Sequence, residues 1–456
     1  MRGKKWSEHG RRAFPTDYRP LLTSYSPPGL TPSRSLPYIA PVTGSLFTAP
    51  RNPLTVAALA AFGFCVLQDH ARADWLHYRG PTMNGISTEK GWSAEFPATG
   101  PKQLWKVDLG IGTASVAVSG DRLYSMGNQG GNDVIQCLDA RTGAKIWKHQ
   151  YPLDLDPNMF EGGPRATPTL DGGRVYTVSH QGDLWCLDAA TGKKIWYKHY
   201  QQGFGGRRPQ WGYAGSPTID GNVVLLDVGG KGSSTVALDK ATGAVVWKAG
   251  DDEAGYASPI VAGIGGKKTI VIFKASHLVG LDVNGGKELW RTEWKTSYDV
   301  NAATPVVLGD RILISSGYQH GAALIAIGGG RAGEIWRTKK LRAHFNSPVV
   351  LGDAIYGIDG DAGGGNLVCL ELASGAQKWI EKTVKGGSLI SADGKLIVLT
   401  EKGELVIADA VPTGFHAISR APLMSGRCWV QPVLSGGRLF LKNNAGTLAC
   451  YDLRAK

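Results

Sequence analysis

The 456-residue sequence lacks any apolar run of about 18 residues or more, the length that a helix needs to cross a bilayer core. Charged residues are also few, at 19%, and the 63 glycines are typical of a turn-rich fold rather than of a disordered chain. The formal net charge is +12, but the lysines and arginines are scattered, which is typical of a solvated surface. These features exclude an integral membrane protein and argue against a nucleic-acid partner.

The six cysteines do not form a metal or redox motif. The sequence has no Cys-x-x-Cys, no covalent haem motif and no His-Glu-x-x-His. The five cysteines after residue 73 are an odd number, so they cannot all pair within one chain. Four of them stand at one equivalent place in repeated segments, and we predict that they are small core residues. These four are Cys137, Cys186, Cys369 and Cys450.

The first 73 residues are predicted to be separate from the folded part of the chain. Residues 1–50 are rich in Pro, Ser and Arg, and we interpret them as a disordered extension or as the result of a start codon placed too far upstream. Residues 51–73 have the pattern of a signal peptide: a positive flank, about 14 apolar residues and the small-x-small tripeptide Ala71-Arg72-Ala73. The sequence therefore predicts a periplasmic or secreted protein, cleaved near Ala73.

A segment that ends in tryptophan recurs along the rest of the chain. In its clearest copies an acid is followed by Thr-Gly and, eight residues after the acid, by tryptophan, as in Asp139 to Trp147 and Asp188 to Trp196. This pattern predicts a β-hairpin, because the carboxylate can accept turn N–H groups and glycine can adopt a positive φ. We expect the tryptophan to fill the wedge between neighbouring sheets. The seven tryptophans at this position are Trp105, Trp147, Trp196, Trp247, Trp290, Trp336 and Trp379.

A second recurring segment precedes each hairpin. It is an apolar strand often opened by Ser-Pro or Thr-Pro, as at Thr167-Pro168 and Ser216-Pro217. Together the two segments form eight units of about 44 residues, the length of a four-stranded propeller blade. The sequence predicts an all-β fold, an eight-bladed β-propeller of four-stranded antiparallel blades over residues 103–456, after a lead-in at 74–102. Because the last unit has only three strands, residues 103–109 should supply its fourth and close the ring.

The repeated motif resembles the PQQ-like repeat found in BamB-like scaffolds of outer-membrane assembly and in quinoprotein alcohol dehydrogenases. The opening Trp75-Leu76-His77-Tyr78-Arg79-Gly80-Pro81 also looks like that of exported PQQ-like propellers of planctomycete and verrucomicrobial bacteria. The resemblance covers residues 74–456 and implies the propeller architecture. Quinoprotein members of the family bind PQQ and Ca²⁺ at the ring axis, but this sequence has no adjacent cysteines, and their ligand motifs cannot be assigned to particular residues here. The resemblance therefore implies no catalytic residue.

Residues that lead into the innermost strand of each predicted blade should lie on one face of the ring, around a funnel. Arginine, tryptophan and tyrosine at such a rim suit the binding of a partner or of a planar ligand. The alternative is that these residues only solvate the channel mouth. The predicted funnel residues are Arg165, Trp211, Tyr213, Tyr256, Asn301, His344, Asn346, Lys385, Arg427 and Trp429. Turns expected on the same face contain His180, Gln181, His277, His320, Asp359, Asp361 and Glu401.

Two weaker patterns concern metals and nucleotides. Asp359 and Asp361 are candidate Ca²⁺ ligands, since carboxylate oxygens bind this ion, although Asp-Gly pairs are also ordinary turn formers. The glycines from Gly328 to Gly333 match the GxGxxG spacing, but they fall at a predicted turn between strands, where no helix N-terminus can receive a pyrophosphate. No cofactor is predicted from the residues alone.

Two functions fit the sequence. The first is an exported, non-catalytic propeller, expected to be a monomer, that binds a protein, a peptide or an envelope polymer on its funnel face. The second is a PQQ-dependent alcohol dehydrogenase-like oxidoreductase with PQQ and Ca²⁺ in the funnel. We favour the first because it requires only the repeats and the signal peptide. Whether the protein is an enzyme stays open, and no catalytic residue is assigned.

Overall fold

The computed structural model describes residues 74–157, 160–361 and 364–455. The predicted extension at 1–50 and signal peptide at 51–73 lie outside the described residues. Within the described part, the strands form eight four-stranded antiparallel sheets, one of which gains a short fifth strand. In seven of the sheets the four main strands follow one another along the chain, which is the arrangement of propeller blades. The predicted eight-bladed β-propeller is therefore confirmed.

The first strand of each blade lies nearest the axis and has only three residues in six of the eight blades, and the fourth strand forms the outer edge, which is half-exposed in blade 1. Blade 1 contains Ala117–Ser119, Arg122–Asn128, Asn132–Asp139 and Lys145–Pro152. Blade 2 contains Thr169–Asp171, Arg174–Val178, Asp183–Asp188 and Lys194–His199. Blade 3 contains Thr218–Asp220, Val223–Gly230, Ser233–Asp239 and Val245–Ala249. Blade 4 contains Ile260–Ile264, Lys267–Phe273, His277–Asp282 and Glu288–Glu293.

The second half of the chain continues the same order. Blade 5 contains Val306–Leu308, Arg311–Ser316, Gly321–Gly328 and Arg331–Thr338. Blade 6 contains Val349–Leu351, Ala354–Asp359, Asn366–Glu371 and Gln377–Lys385. Blade 7 contains Ser388–Ala392, Lys395–Leu399, Glu404–Asp409 and Ala417–Pro422. Blade 8 contains Val433–Ser435, Arg438–Lys442, Thr447–Asp452 and, from the beginning of the described chain, Gln103–Asp108. The helical segments are Tyr200–Phe204 and the 3₁₀ turn Ser297–Asp299, and no helix in the described residues is long and apolar enough to cross a membrane.

Blade 8 is completed by a strand that precedes blade 1 in the chain. Gln103–Asp108 pairs antiparallel with Thr447–Asp452, with Trp105 opposite Cys450. The Trp105 ring is buried, and its indole N–H donates to the carbonyl of Ala140 in blade 1, 3.1 Å away. One strand therefore extends the sheet of the last blade and packs against the first.

Six of the seven repeated tryptophans join their blade to the next. The indole N–H of Trp147 donates to the Ala189 carbonyl at 3.0 Å, and that of Trp196 donates to the Lys240 carbonyl at 3.1 Å. A Cβ added at Gly192, in the Thr-Gly pair of the next blade, would lie only 2.5 Å from the Trp147 ring. Glycine is thus needed here both for its φ of +72° and for the close approach of the indole. The same indole-to-carbonyl bond recurs at Trp105, Trp247, Trp336 and Trp379.

Four of the repeated tryptophans face a recurring cysteine on the paired strand. Cys186 pairs with Trp196, and cross-strand neighbours share one face of a sheet, so a small side chain leaves space for the indole. The other cysteines in this position are Cys137, Cys369 and Cys450. All have buried, free thiols, so their predicted role in the core is confirmed. Trp290 differs because it faces Gly280, and its ring lies over this glycine of its own blade.

The Ser-Pro and Thr-Pro pairs link the blades near the axis. The backbone N–H of Thr167 donates to the Ser216 hydroxyl, and the N–H of Ser216 donates to the Ser258 hydroxyl, both at 2.9 Å. Three more such bonds run from Ser115 to Thr167, from Ser258 to Thr304 and from Thr304 to Ser347. From blade 1 to blade 6, the hydroxyl at the start of an innermost strand therefore accepts the N–H of the preceding blade. Sequence reasoning identified the strand but missed this bond.

The lead-in at 74–102 crosses the channel at the end away from the funnel. The Leu76 carbonyl accepts a backbone hydrogen bond from blade 2, and the Arg79 guanidinium donates to the Pro348 carbonyl of blade 6 at 2.7 Å. Blades 2 and 6 face each other across an eight-membered ring, so these few residues cross the axis. The lead-in then adds the short strand Ile86–Ser87, parallel to the innermost strand of blade 7.

Arg79 and Tyr78 fill the crossing point. Arg79 is 0% exposed and also donates to the carbonyls of Met83 and Asn84 at 3.1 and 2.7 Å. Tyr78 lines the central cavity. The lead-in therefore closes this end of the channel.

Candidate functional site

The funnel face contains a cavity of about 200 Å³ at the ring axis. Its wall comes from the loops that lead into the innermost strands, and its base includes Tyr78 of the lead-in. The structure brings together six of the ten predicted funnel residues in this lining. They are Arg165, Trp211, Tyr256, His344, Asn346 and Trp429.

Three other predicted residues lie away from the cavity. Tyr213 is 3% exposed, and its hydroxyl donates to the Val228 carbonyl at 3.0 Å. Asn301 is 0% exposed, and its amide donates to three backbone carbonyls at 2.9 to 3.1 Å. The prediction that these two face the funnel is wrong, because both side chains satisfy buried backbone groups. Lys385 is exposed, but its ammonium group donates to the Asn366 side chain at 2.6 Å and does not line the cavity.

Aromatic rings form a continuous series around the cavity mouth, which we call the aromatic arc. Consecutive ring centroids are 4.6 to 6.2 Å apart, within the range of direct aromatic contact. Its two most exposed members, Phe160 and Tyr298, are 67% and 64% exposed. Tyr256 and His344 are buried, so the arc is a continuous series of ring contacts that is exposed to solvent at Phe160 and Tyr298 and half-exposed at most of its other members. In order its members are Tyr256, Trp211, Tyr298, Tyr318, His344, Phe345, Trp429 and Phe160.

Two members of the aromatic arc have unusual backbone conformations. Tyr298 and Tyr318 have φ values of +67° and +52°, and the residues that follow them, Asp299 and Gln319, are also left-handed. A non-glycine residue pays about 1–2 kcal/mol for this conformation, and such strain concentrates at binding sites. The backbone N–H of Tyr318 donates to the Asp361 carboxylate at 2.5 Å, which helps to hold the turn. The fold therefore fixes these rings at the mouth despite a local cost.

Arg427 holds the other end of the aromatic arc. Its guanidinium lies 4.8 Å from the Phe160 ring centroid and 4.7 Å from that of Trp429. It also donates to the Glu161 carboxylate at 2.6 Å, and the Asn444 amide donates to the second oxygen at 2.9 Å. The charge of Arg427 is therefore paired, and this predicted funnel residue braces the rim.

Arg165 is the contrasting case. Its side chain lines the cavity, and within the described residues it has no hydrogen-bond or ion-pair partner. Burial lowers the pKa of Arg165 to about 10, so the guanidinium is still charged at neutral pH. Burial and the charge of Arg165 lower the pKa of the neighbouring His180 to about 4, so the imidazole is neutral. The Glu161 carboxylate acts on this charge without forming an ion pair, so a guanidinium with no hydrogen-bond partner among the described residues faces the cavity.

The two candidate calcium ligands are engaged by other groups of the protein. The candidate Asp359 accepts two hydrogen bonds from the Arg342 guanidinium, at 2.8 and 2.9 Å, and Asp361 accepts the N–H of Tyr318. Across the described residues, no group of three or more His, Cys, Asp or Glu side chains could hold a metal ion. Glu161, the carboxylate in the cavity lining, already has two donors. Because Ca²⁺ takes six to eight oxygen ligands, this donor set does not fit a Ca²⁺–PQQ centre.

Sequence reasoning missed five residues of the funnel rim. Two of them stand within two residues of predicted positions, since Phe345 lies between His344 and Asn346, and Tyr318 precedes His320. An aromatic residue beside a predicted position was therefore a usable signal. The others belong to loops between blades, whose paths no repeat pattern determines. The missed residues are Phe160, Glu161, Tyr298, Tyr318 and Phe345.

Comparison with known proteins gives a family and a fold. Residues 131–381 match the family model described as outer membrane protein assembly factor BamB. The structure is similar to that of BamB from Moraxella catarrhalis, with a TM-score of 0.55 and 19% identity over 78% of this chain and 98% of that one. It is also similar to the quinohemoprotein alcohol dehydrogenase ADHIIG from Pseudomonas putida HK5, with a TM-score of 0.61 and 14% identity over 84% of this chain and 81% of that one.

A third similar structure is the computationally designed Ika8 protein, with a TM-score of 0.53 and 10% identity over 77% of this chain and all of that one. At these identities, the three structures show a shared fold alone. No curated protein matches the sequence.

Proposed function

The chain belongs to the family of the outer membrane protein assembly factor BamB, and from this premise we propose that it is an exported, non-catalytic scaffold that binds a protein, a peptide or an envelope polymer on its funnel face. Export is proposed from the signal-peptide pattern at 51–73, and the family's description agrees with an envelope location. The lead-in sequence favours the exported type of PQQ-like propeller.

The aromatic arc is the observation that carries this proposal. Phe160 and Tyr298 expose large aromatic side chains at the cavity mouth, and tryptophan and tyrosine are residues that anchor binding contacts. The rings are also held before any partner arrives, because Arg427 lies against Phe160 and Trp429, and the turns of Tyr298 and Tyr318 are fixed. A preorganised surface loses less conformational entropy on binding.

The alternative is a PQQ-dependent alcohol dehydrogenase-like oxidoreductase. It has the weaker support, because Glu161 is engaged by Arg427 and Asn444, and Asp359 and Asp361 are engaged by their own loops. Adding PQQ and Ca²⁺ to the purified protein tests it. Quinone absorbance retained after desalting, together with dye-linked alcohol oxidation, would replace the scaffold proposal with this one.

Capture from an envelope extract tests the scaffold proposal. Trp211→Ala and Trp429→Ala should each reduce the captured partner at least tenfold, because both remove a ring of the aromatic arc. Ile146→Ala is the control, since Ile146 is an apolar residue 44% exposed on the outer edge of blade 1. Retention of the partner by both tryptophan variants, with loss in the Ile146 variant, would move the binding site to the outer rim.

A further inference from the structure

We propose that the funnel cavity binds the carboxyl terminus of a polypeptide end-on, with the terminal carboxylate at Arg165. This inference rests on the proposed function, because it names the ligand class of the same funnel. Three features of the cavity carry it: an unpaired cation, an unpaired acceptor and a closed base.

The cation is Arg165. The other arginine of the funnel, Arg427, is bonded to Glu161, whereas Arg165 has no hydrogen-bond or ion-pair partner in the described part of the chain. Arg165 is half-buried, so its guanidinium keeps only part of its hydration, and a carboxylate is the group that its fork of N–H donors matches. A ligand with a carboxylate would therefore gain a charge-assisted hydrogen bond.

The acceptor is the amide oxygen of Asn346, which lines the same cavity. The Asn346 side-chain N–H donates to the Gly387 carbonyl at 3.0 Å, and this bond orients the amide. The amide oxygen is buried and has no donor among the described residues. A peptide end carries a backbone N–H beside its carboxylate, so a ligand bound at Arg165 brings a donor into the cavity that Asn346 lines.

The closed base determines how a ligand enters. Tyr78 and the buried Arg79 of the lead-in cross the axis beneath the cavity, so a continuous chain cannot thread through the ring. The cavity volume of about 200 Å³ is also below the range of about 300–1,000 Å³ typical of small-molecule sites. A chain end with one side chain against the aromatic arc suits this space, and the rest of the partner would lie across the exposed rings.

Arrays of octapeptides test the proposal with the full-length protein as the labelled probe. One array carries free carboxyl termini, a second carries the same sequences as amides, and a third carries amidated peptides with an internal aspartate. We expect binding at least tenfold stronger to the free acids than to the matched amides. Arg165→Gln should abolish this preference, Arg165→Lys should retain part of it, and Arg141→Gln, an exposed arginine of a blade 1 hairpin, should leave it unchanged.

The outcomes separate this inference from the proposed function. Equal binding of acids and amides that Trp429→Ala abolishes would overturn the carboxylate inference and leave the funnel scaffold in place. Binding of the amidated internal-aspartate peptides as strongly as the free acids would also overturn the inference. Absence of binding to all three arrays would contradict both the inference and a peptide-binding funnel.

Discussion

At the residue scale, the glycine of the Thr-Gly pair serves two purposes that substitution can separate. Gly192 and Gly173 both have positive φ, +72° and +77°, but a Cβ at Gly192 would lie 2.5 Å from the Trp147 ring, whereas one at Gly173 would meet nothing within 4 Å. We expect Gly173→Ala to lower the free energy of unfolding by about 1–2 kcal/mol, because alanine is strained at this positive φ. Gly192→Ala should lower the free energy of unfolding by about 1–3 kcal/mol more than Gly173→Ala does, because the Trp147 indole must move. Chemical denaturation measures both, and equal costs would contradict a tight Gly–Trp contact.

The tryptophans divide into structural and site residues. Trp196 is 7% exposed and bonded to the next blade, so Trp196→Ala should lower the free energy of unfolding by about 3–5 kcal/mol. Trp429 is half-buried at the cavity mouth, and Trp429→Ala should cost less than about 2 kcal/mol. Denaturant titration of the two variants provides the comparison. A larger loss of stability for Trp429→Ala would contradict its assignment to the site.

Asp133 should make stability depend on pH. Its buried carboxylate accepts a hydrogen bond from Asn128 at 2.9 Å, and burial raises its pKa to about 7. The unfolded chain releases this proton near pH 4, so the stability contributed by Asp133 is present at low pH and is lost as pH rises to about 7. Relative to Asp133→Asn, the wild type should lose up to about 1.4 kcal/mol per pH unit between pH 5 and 7 and then level off. Urea denaturation of both proteins between pH 5 and 7 tests this prediction. A difference in the free energy of unfolding that does not change with pH would contradict it.

Residue patterns predicted the core better than the site. The recurring cysteines and tryptophans were assigned to the core because a repeat places chemically similar residues in equivalent surroundings, and Cys186 opposite Trp196 shows why. Asn301 and Tyr213 were misplaced because a polar group at a strand entrance can equally serve a buried backbone carbonyl. The folded loop determines whether such a side chain faces the funnel or bonds to a buried carbonyl, because the carbonyls belong to other segments of the chain.

At the element scale, the strand Gln103–Asp108 should matter more to stability than its position before blade 1 suggests. It pairs with Thr447–Asp452 and carries the Trp105 bond to blade 1. Deletion through Leu109, which also removes the lead-in, should therefore lower the melting temperature far more than deletion through Ala73, which removes none of the described strands. Thermal melts of the two truncated proteins test this. Equal melting temperatures would mean that this pairing contributes little.

The path of the lead-in could not be predicted from the sequence. Its crossing of the channel depends on contacts such as that between Arg79 and Pro348, which are 269 residues apart. No local period or turn signal specifies a contact of that separation. The hydroxyl bonds between Thr167 and Ser216 and their equivalents are likewise visible only when blades are adjacent. The strands themselves were predictable because each is determined by alternation and by its own turn.

At the scale of the whole molecule, counting repeats predicted the number of blades, but it did not predict the composition of the site. Eight units predict eight blades because each unit buries its apolar faces only against its neighbours. The aromatic arc combines residues from blade-entrance loops, such as Trp429, with residues from irregular connections, such as Phe160 and Tyr298. The connections vary from blade to blade, so they carry the specific function on a repeated scaffold.

The central claim is that the funnel face, through its aromatic arc, binds the partner. Photocrosslinking tests it most directly, with benzoylphenylalanine placed in turn at Phe160, which is 67% exposed on the arc, and at Val246, which is 53% exposed on the outer edge of blade 3. Illumination in intact cells should yield a discrete crosslinked species from position 160 and none from position 246, and Trp429→Ala should remove it. A crosslink from position 246 alone, or one from position 160 that Trp429→Ala leaves unchanged, would contradict the account.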